Sequence, residues 1–115
     1  MESTSEMQRG VENPDIIDLI TPDPTSGEVV LLIIEERPWG SDKNQLVQFD
    51  EKLNRYLAYI LDGFLGRQYP QYENTPVRIQ IDCVDEPTDE RSLRFLEGVG
   101  MVCEQNGIGF RVRTV

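Results

Sequence analysis

The sequence contains no histidine, and this absence removes whole classes of chemistry. A Ser-His or Cys-His nucleophile pair is impossible, and the commonest general base and transition-metal ligand is missing. The only cysteines are Cys83 and Cys103, and neither has the paired spacing of a metal-binding motif. We therefore predict no cofactor, and an enzyme built on this chain would have to use carboxylates, lysine, tyrosine or cysteine.

Long apolar runs are also lacking. The longest extends over residues 29–34, far short of the roughly 20 residues that a membrane-spanning helix needs. Residues 1–10 lack the apolar stretch of a secretory leader. We therefore expect a cytoplasmic protein with no membrane partner, in which both cysteines are buried and reduced.

Basic residues are scarce, since 11 Lys and Arg stand against 21 Asp and Glu and give a formal net charge of −10. A phosphate backbone would meet a repulsive field over most of such a surface, so nucleic acid is not a predicted partner. The same charge is compatible with an acidic inhibitor or immunity-type protein that binds a basic partner.

The chain of 115 residues has the length of one domain. Residues 1–14 are predicted to form a disordered tail, because the segment is rich in Ser, Glu and Gln and ends at Pro14. Residues 15–115 are predicted to form a single α+β domain.

Apolar periodicity predicts the secondary structure of that domain. Strands are expected at residues 16–20, 29–35, 77–83 and 108–112. A long helix is expected to be capped by Ser41 or by Asp42, with Gln45 completing a capping box with Asp42, and a second helix is expected after Thr88. The apolar stripe of the first helix consists of Leu46, Phe49, Leu53, Leu57, Ile60 and Phe64.

The element order is therefore strand, strand, helix, strand, helix, strand. Strands joined through a helix run parallel with right-handed crossovers, which places both helices on the same face. The predicted fold is a two-layer sandwich in which a mixed four-stranded sheet carries two helices on one face.

Two acidic groups are candidates for a metal or cationic ligand. Asp23 and Glu35, with Arg37 nearby, faintly resemble the carboxylate pattern of metal-dependent nucleases, so a carboxylate hydrolase is one alternative. A second cluster, Asp82, Asp85 and Glu86, follows the third strand, where ligands of open sheets often bind. Solvated acids at strand ends and helix caps are the favoured interpretation of both groups.

The second strand is apolar on both sides, and this favours a binding surface. Alternation along the strand directs one set of side chains away from the helices, where they would join residues of the first strand and the turn that contains Trp39. Exposed apolar stripes usually mark interfaces, and symmetric dimers are the commonest assembly. The alternative is that the N-terminal segment folds back over the stripe. The predicted interface comprises Ile16, Ile20, Val30, Leu32, Ile34 and Trp39.

Several short segments resemble those of an uncharacterised family of small bacterial proteins, a domain of unknown function. They are residues 11–15, 17–20, 27–31, 38–39, 52–57, 69–70 and 77–79. The resemblance covers most of residues 11–81. It implies a bacterial, cytosolic source and assigns no catalytic or binding residue.

The predicted function is a non-enzymatic protein-protein interaction domain, self-associating as a homodimer or binding another protein. The carboxylate hydrolase and the acidic inhibitor remain as alternatives. The sequence offers surfaces but no reactive constellation, and this favours an interaction domain.

Overall fold

The computed structural model describes residues 10–14 and 16–115. Four strands form one sheet: β1 (Leu19–Pro22), β2 (Val29–Glu35), β3 (Val77–Cys83) and β4 (Gly109–Thr114). The helices are α1 (Gln45–Leu61), α2 (Phe64–Gln68) and α3 (Glu90–Gln105), with a 3-10 turn at Pro70–Tyr72.

The sheet order is β1-β2-β3-β4, with β1 antiparallel to β2 and the other pairs parallel. This confirms the predicted mixed four-stranded α+β fold, to which the structure adds the short helix α2. Alternate residues of the two central strands, such as Leu31 and Ile79, are fully buried against Phe49 of α1 and Leu96 of α3. The core therefore lies between the sheet and the helix layer.

The first strand begins three residues later than predicted, at Leu19 rather than at residue 16. The reason is Asp18, whose Oδ2 accepts the backbone N–H of Ile34 at 2.8 Å. A side-chain carboxylate thus replaces a backbone carbonyl beside β2, and backbone pairing begins only at Leu19 opposite Leu32.

The segment before β1 is part of the fold. Val11 is fully buried in the core cluster, and the Lys52 ammonium donates to the carbonyl oxygens of Gly10 and Asn13 at 2.7 and 2.8 Å. Residues 10–14 are therefore packed, in contrast to the tail predicted for residues 1–14. Residues 1–9 lie outside the described part of the chain.

The helix caps differ in how they match the sequence. Asp42 and Gln45 do not form the predicted capping box: the Asp42 carboxylate accepts from Asn44, and the Gln45 amide oxygen accepts from Gly40. In α3, Asp89 is the N-cap and accepts the backbone N–H of Ser92 at 3.0 Å. That bond lowers the pKa of Asp89.

We expect Asp89→Ala to destabilise the protein most near neutral pH. A carboxylate whose pKa is lowered by folding stabilises the fold above its unfolded pKa, and the contribution is lost as pH falls through the folded pKa. The difference in Tm between wild type and Asp89→Ala should therefore shrink between about pH 7 and about pH 2. Glu86→Ala, in the preceding loop, is the control. A Tm difference between wild type and Asp89→Ala that does not change with pH would contradict a stabilising role of the Asp89 carboxylate as N-cap.

Candidate functional site

The open face, meaning the sheet face turned away from the helices, carries three of the predicted interface residues. Val30, Leu32 and Ile34 pair in register with Arg78, Gln80 and Asp82 and share their face. Val30 and Leu32 are nevertheless only 3% and 8% exposed, and Ile34 is half-buried. The structure therefore provides no exposed apolar stripe at these positions.

A polar ladder lies across the open face and explains this burial. The Arg78 Nε donates to Gln80 Oε1, the Gln80 amide donates to Asp82 Oδ1, and the Arg113 guanidinium binds Asp82 at 2.8 Å. Gln80, which pairs with Leu32 in register, is itself only 4% exposed, so its side chain packs against its neighbours instead of extending into water. Among the described residues, Arg78, Gln80 and Arg113 of the polar ladder and Pro22 of β1 lie around Val30 and Leu32.

The other predicted interface residues lie elsewhere. Ile20 pairs with Leu31, which faces the helices, and it packs against the core. Ile16 is half-buried in the segment before β1. The Trp39 ring stacks on Phe49 with a centroid distance of 5.1 Å, and its Nε1 donates to the Asp85 carbonyl. The six residues therefore do not form one surface, and Trp39 is a lid over the core edge.

Asp23 and Glu35 do not share a site. Asp23 follows β1 and binds Arg78 at 3.0 Å, a contact that lowers the pKa of the Asp23 carboxyl. Glu35 ends β2, is 2% exposed, and accepts from the Arg37 guanidinium and the Gln45 amide. The two carboxylates stand at opposite ends of β2, roughly 20 Å apart at about 3.3 Å per residue.

The second acidic cluster is also dispersed. Asp82 belongs to the polar ladder, whereas Asp85 and Glu86 are exposed in the loop that follows β3. Within residues 10–14 and 16–115, no group of three or more Asp, Glu, Cys or His side chains is arranged to hold a metal ion.

A buried polar network between α1 and the N-terminal segment was not predicted. Lys52 and Asp18 form an ion pair at 2.8 Å, with both side chains fully buried. Asp18 also accepts from the backbone of Gly10, and the Tyr56 hydroxyl accepts from the Asp18 N–H and donates to the Leu32 carbonyl. Burial raises the pKa of Tyr56 above its usual range.

This network has a structural role, because its hydrogen-bonding capacity is used internally. The Lys52 ammonium has three N–H donors, and they serve the carbonyls of Gly10 and Asn13 and the carboxylate of Asp18. Both Asp18 oxygens accept backbone N–H groups as well. All three N–H donors of the ammonium therefore have partners within the chain. The sequence signal for it was Lys52 itself, which lies three residues after Phe49 on the buried side of α1.

An apolar concavity lies between α1 and α3, and sequence reasoning did not identify it. This groove has a volume of about 350 Å³. It is lined by Leu53 and Leu57 from α1 and by Arg94, Phe95, Gly98, Val99 and Val102 from α3. Among the lining side chains, Val102 is 43% exposed. Apolar surface that remains exposed in this way is typical of protein interfaces.

No helix in the described ranges has both the length and the apolar character needed to cross a membrane. A family model described as "Family of unknown function (DUF6572)" matches residues 9–115. No curated protein and no solved structure matches the chain.

Proposed function

We propose that this chain, which belongs to the DUF6572 family, is a non-enzymatic protein-binding domain that docks its partner in the groove between α1 and α3. The observation that carries the proposal is the apolar lining of that groove, to which Arg94 is the only charged contributor among the described residues. Water is a poor occupant for such a surface, and an apolar segment of another protein is a good one.

Gly98 supports the proposal independently. It stands in the interior of α3, where glycine costs about 1 kcal/mol relative to alanine. A Cβ added at Gly98 would meet no atom within 4 Å, so packing inside this chain does not require a glycine there. A side chain would instead extend into the groove that Gly98 lines. The glycine thus keeps the groove open for close approach from outside.

Charge indicates the partner. The net charge of −10 favours encounter with a basic protein. An amphipathic helix with an apolar stripe and basic flanks fits both the groove and the surrounding field, in the helix-in-groove mode of recognition. The proposal therefore combines the predicted interaction domain with the acidic, partner-neutralising alternative. A second copy of the chain carries the same negative charge and is a poorer occupant.

The two thiols fit a reducing location. Cys83 and Cys103 are free and fully buried, which is typical of cytosolic proteins. We keep the bacterial cytoplasm as the proposed setting, in agreement with the resemblance of the sequence.

Gly98→Leu should separate binding from stability. Leucine is a good helix former, so the free energy of unfolding should rise by about 1 kcal/mol. The same side chain should fill the groove and weaken binding of an amphipathic Leu/Lys helical peptide by about tenfold or more. Thermal melting and calorimetric titration measure the two effects.

Gln105→Leu, at the exposed end of α3, is the matched control, and it should bind the peptide as the wild type does. Equal affinity of wild type and Gly98→Leu would mean that charge alone attracts the peptide and would contradict the groove. A wild-type dimer in light scattering that Gly98→Leu converts to a monomer would identify a second copy as the occupant instead.

A further inference from the structure

The strand β4 presents a second surface, because it forms one edge of the sheet. Val115 N–H donates to the Cys83 carbonyl at 2.9 Å, and Cys83 pairs with Thr114. In a parallel pair, every second residue directs its N–H and C=O groups to the neighbouring strand. Because Val115 bonds to β3, the backbone groups of Arg111 and Arg113 also point toward β3. The N–H and C=O groups of Phe110, Val112 and Thr114 then point outward. In the part of the chain that the structure describes, no strand pairs with this side.

The side chains of β4 divide by face. Phe110 and Val112 are half-buried and pack against the core on the helix side. Arg111 and Arg113 are exposed on the open face. Arg113 pairs with Asp82, whereas Arg111 has no partner among the described residues. The edge thus combines unpaired backbone groups, an apolar side and a basic side.

These arginines disfavour pairing of β4 with a second copy of itself. An antiparallel pair centred on Arg111 places Arg111 opposite its own counterpart. Centring the pair on Val112 instead places Arg111 opposite Arg113. Like charges directly opposite each other destabilise a strand pair, and charged edge residues are a common protection against association of identical edges. The occupant of this edge must therefore differ from β4 in charge.

We propose that β4 binds an extended segment of another protein in which acidic and apolar residues alternate. Its backbone would pair with Phe110, Val112 and Thr114, its carboxylates would face Arg111 and Arg113, and its apolar side chains would continue the helix-side face. Strand addition of this kind takes affinity from main-chain hydrogen bonds and specificity from alternate side chains. The net charge of −10 repels acidic chains in general, so only a segment that matches this pattern gains enough local contact.

Val112→Pro is the test, because it removes a donor that the fold itself does not use. The Val112 N–H points outward, so proline there leaves the ladder to β3 intact. A capped octapeptide of alternating Glu and Val is the probe, and the same peptide with Lys in place of Glu is its control. The wild type should bind the Glu/Val peptide, and Val112→Pro should bind it about tenfold more weakly or worse. Arg111→Glu with Arg113→Glu should reverse the preference toward the Lys/Val peptide.

Hydrogen exchange provides a readout on the unmodified protein should Val112→Pro fail to fold. The Glu/Val peptide should slow exchange at Val112 and leave it unchanged at Arg111, whose N–H already bonds within the sheet. Equal affinity for both peptides, or unchanged exchange at Val112, would overturn the proposal. Gly98→Leu should bind the Glu/Val peptide as the wild type does. The proposal for the groove and the proposal for the β4 edge can therefore be rejected independently of each other.

Discussion

Lys52→Met is expected to lower the free energy of unfolding by about 3–5 kcal/mol. The substitution keeps much of the side-chain volume but leaves the Asp18 carboxylate buried without its counter-charge. It also leaves the carbonyls of Gly10 and Asn13 without a donor. The N-terminal segment should therefore detach from α1 before the rest of the domain unfolds.

Urea denaturation measures the total loss, and hydrogen exchange at Gly10 and Ile34, whose N–H groups bond to Asp18, locates it. Lys43→Met removes an exposed lysine just before α1 and should change stability by no more than about 0.5 kcal/mol. Similar losses for the two variants would mean that the buried network contributes no more than a surface charge.

Phe49→Ala is expected to cost a similar amount, about 3–5 kcal/mol, because it opens a cavity in the core. Phe49 is fully buried, and its ring lies 5.1 Å from that of Trp39 and 6.4 Å from that of Phe95. Trp39 is the only tryptophan, so its fluorescence reports the site directly. Loss of the stacked ring should shift its emission to longer wavelength as water reaches the indole.

Phe64→Ala is the matched control, since the sequence pattern placed both phenylalanines on one apolar stripe. Phe64 is 47% exposed in the short helix α2. We expect a loss of less than about 1 kcal/mol and an unchanged tryptophan spectrum. Equal losses in the free energy of unfolding for Phe49→Ala and Phe64→Ala would mean that both rings are buried in the core, and this would contradict the observed exposure of Phe64.

The fold was predictable because its signals are local. Alternation in β3, the apolar run of β2 and the three-and-four spacing of the helices are each visible within a short window. The parallel arrangement then follows from general rules on crossovers. The packed N-terminal segment was not predictable in this way, because the Lys52 ammonium that binds the Gly10 carbonyl, next to the buried Val11, lies 42 residues away from Gly10 in the sequence.

The buried face of α1 shows the same limit. Its fully buried side chains include Gln45, Lys52 and Tyr56, none of which belonged to the predicted apolar stripe. The Lys52–Asp18 contact spans 34 residues, and the Tyr56–Leu32 contact spans 24. A polar residue on a helix is assigned to solvent by default, and only a distant partner makes its burial favourable.

The expectation that Val30 and Leu32 are exposed was wrong for a related reason. The parity of Val30 and Leu32 along β2 was correct, because it depends on one strand alone. Their exposure depended on Arg78, Gln80 and Pro22 from neighbouring segments, which surround them in three dimensions. The groove was not predicted because it is formed between two helices. The periodicity of each helix shows its apolar side but not the distance between the helices.

Mapping the Leu/Lys helical peptide onto the protein by methyl NMR tests the central claim most directly. The account predicts shifts for the methyl groups of Leu57, Val99 and Val102, with those of Leu19 and Val84 unchanged although both side chains are exposed. Shifts spread evenly over all exposed methyl groups, or confined to residues outside the groove, would contradict a protein-binding site between α1 and α3.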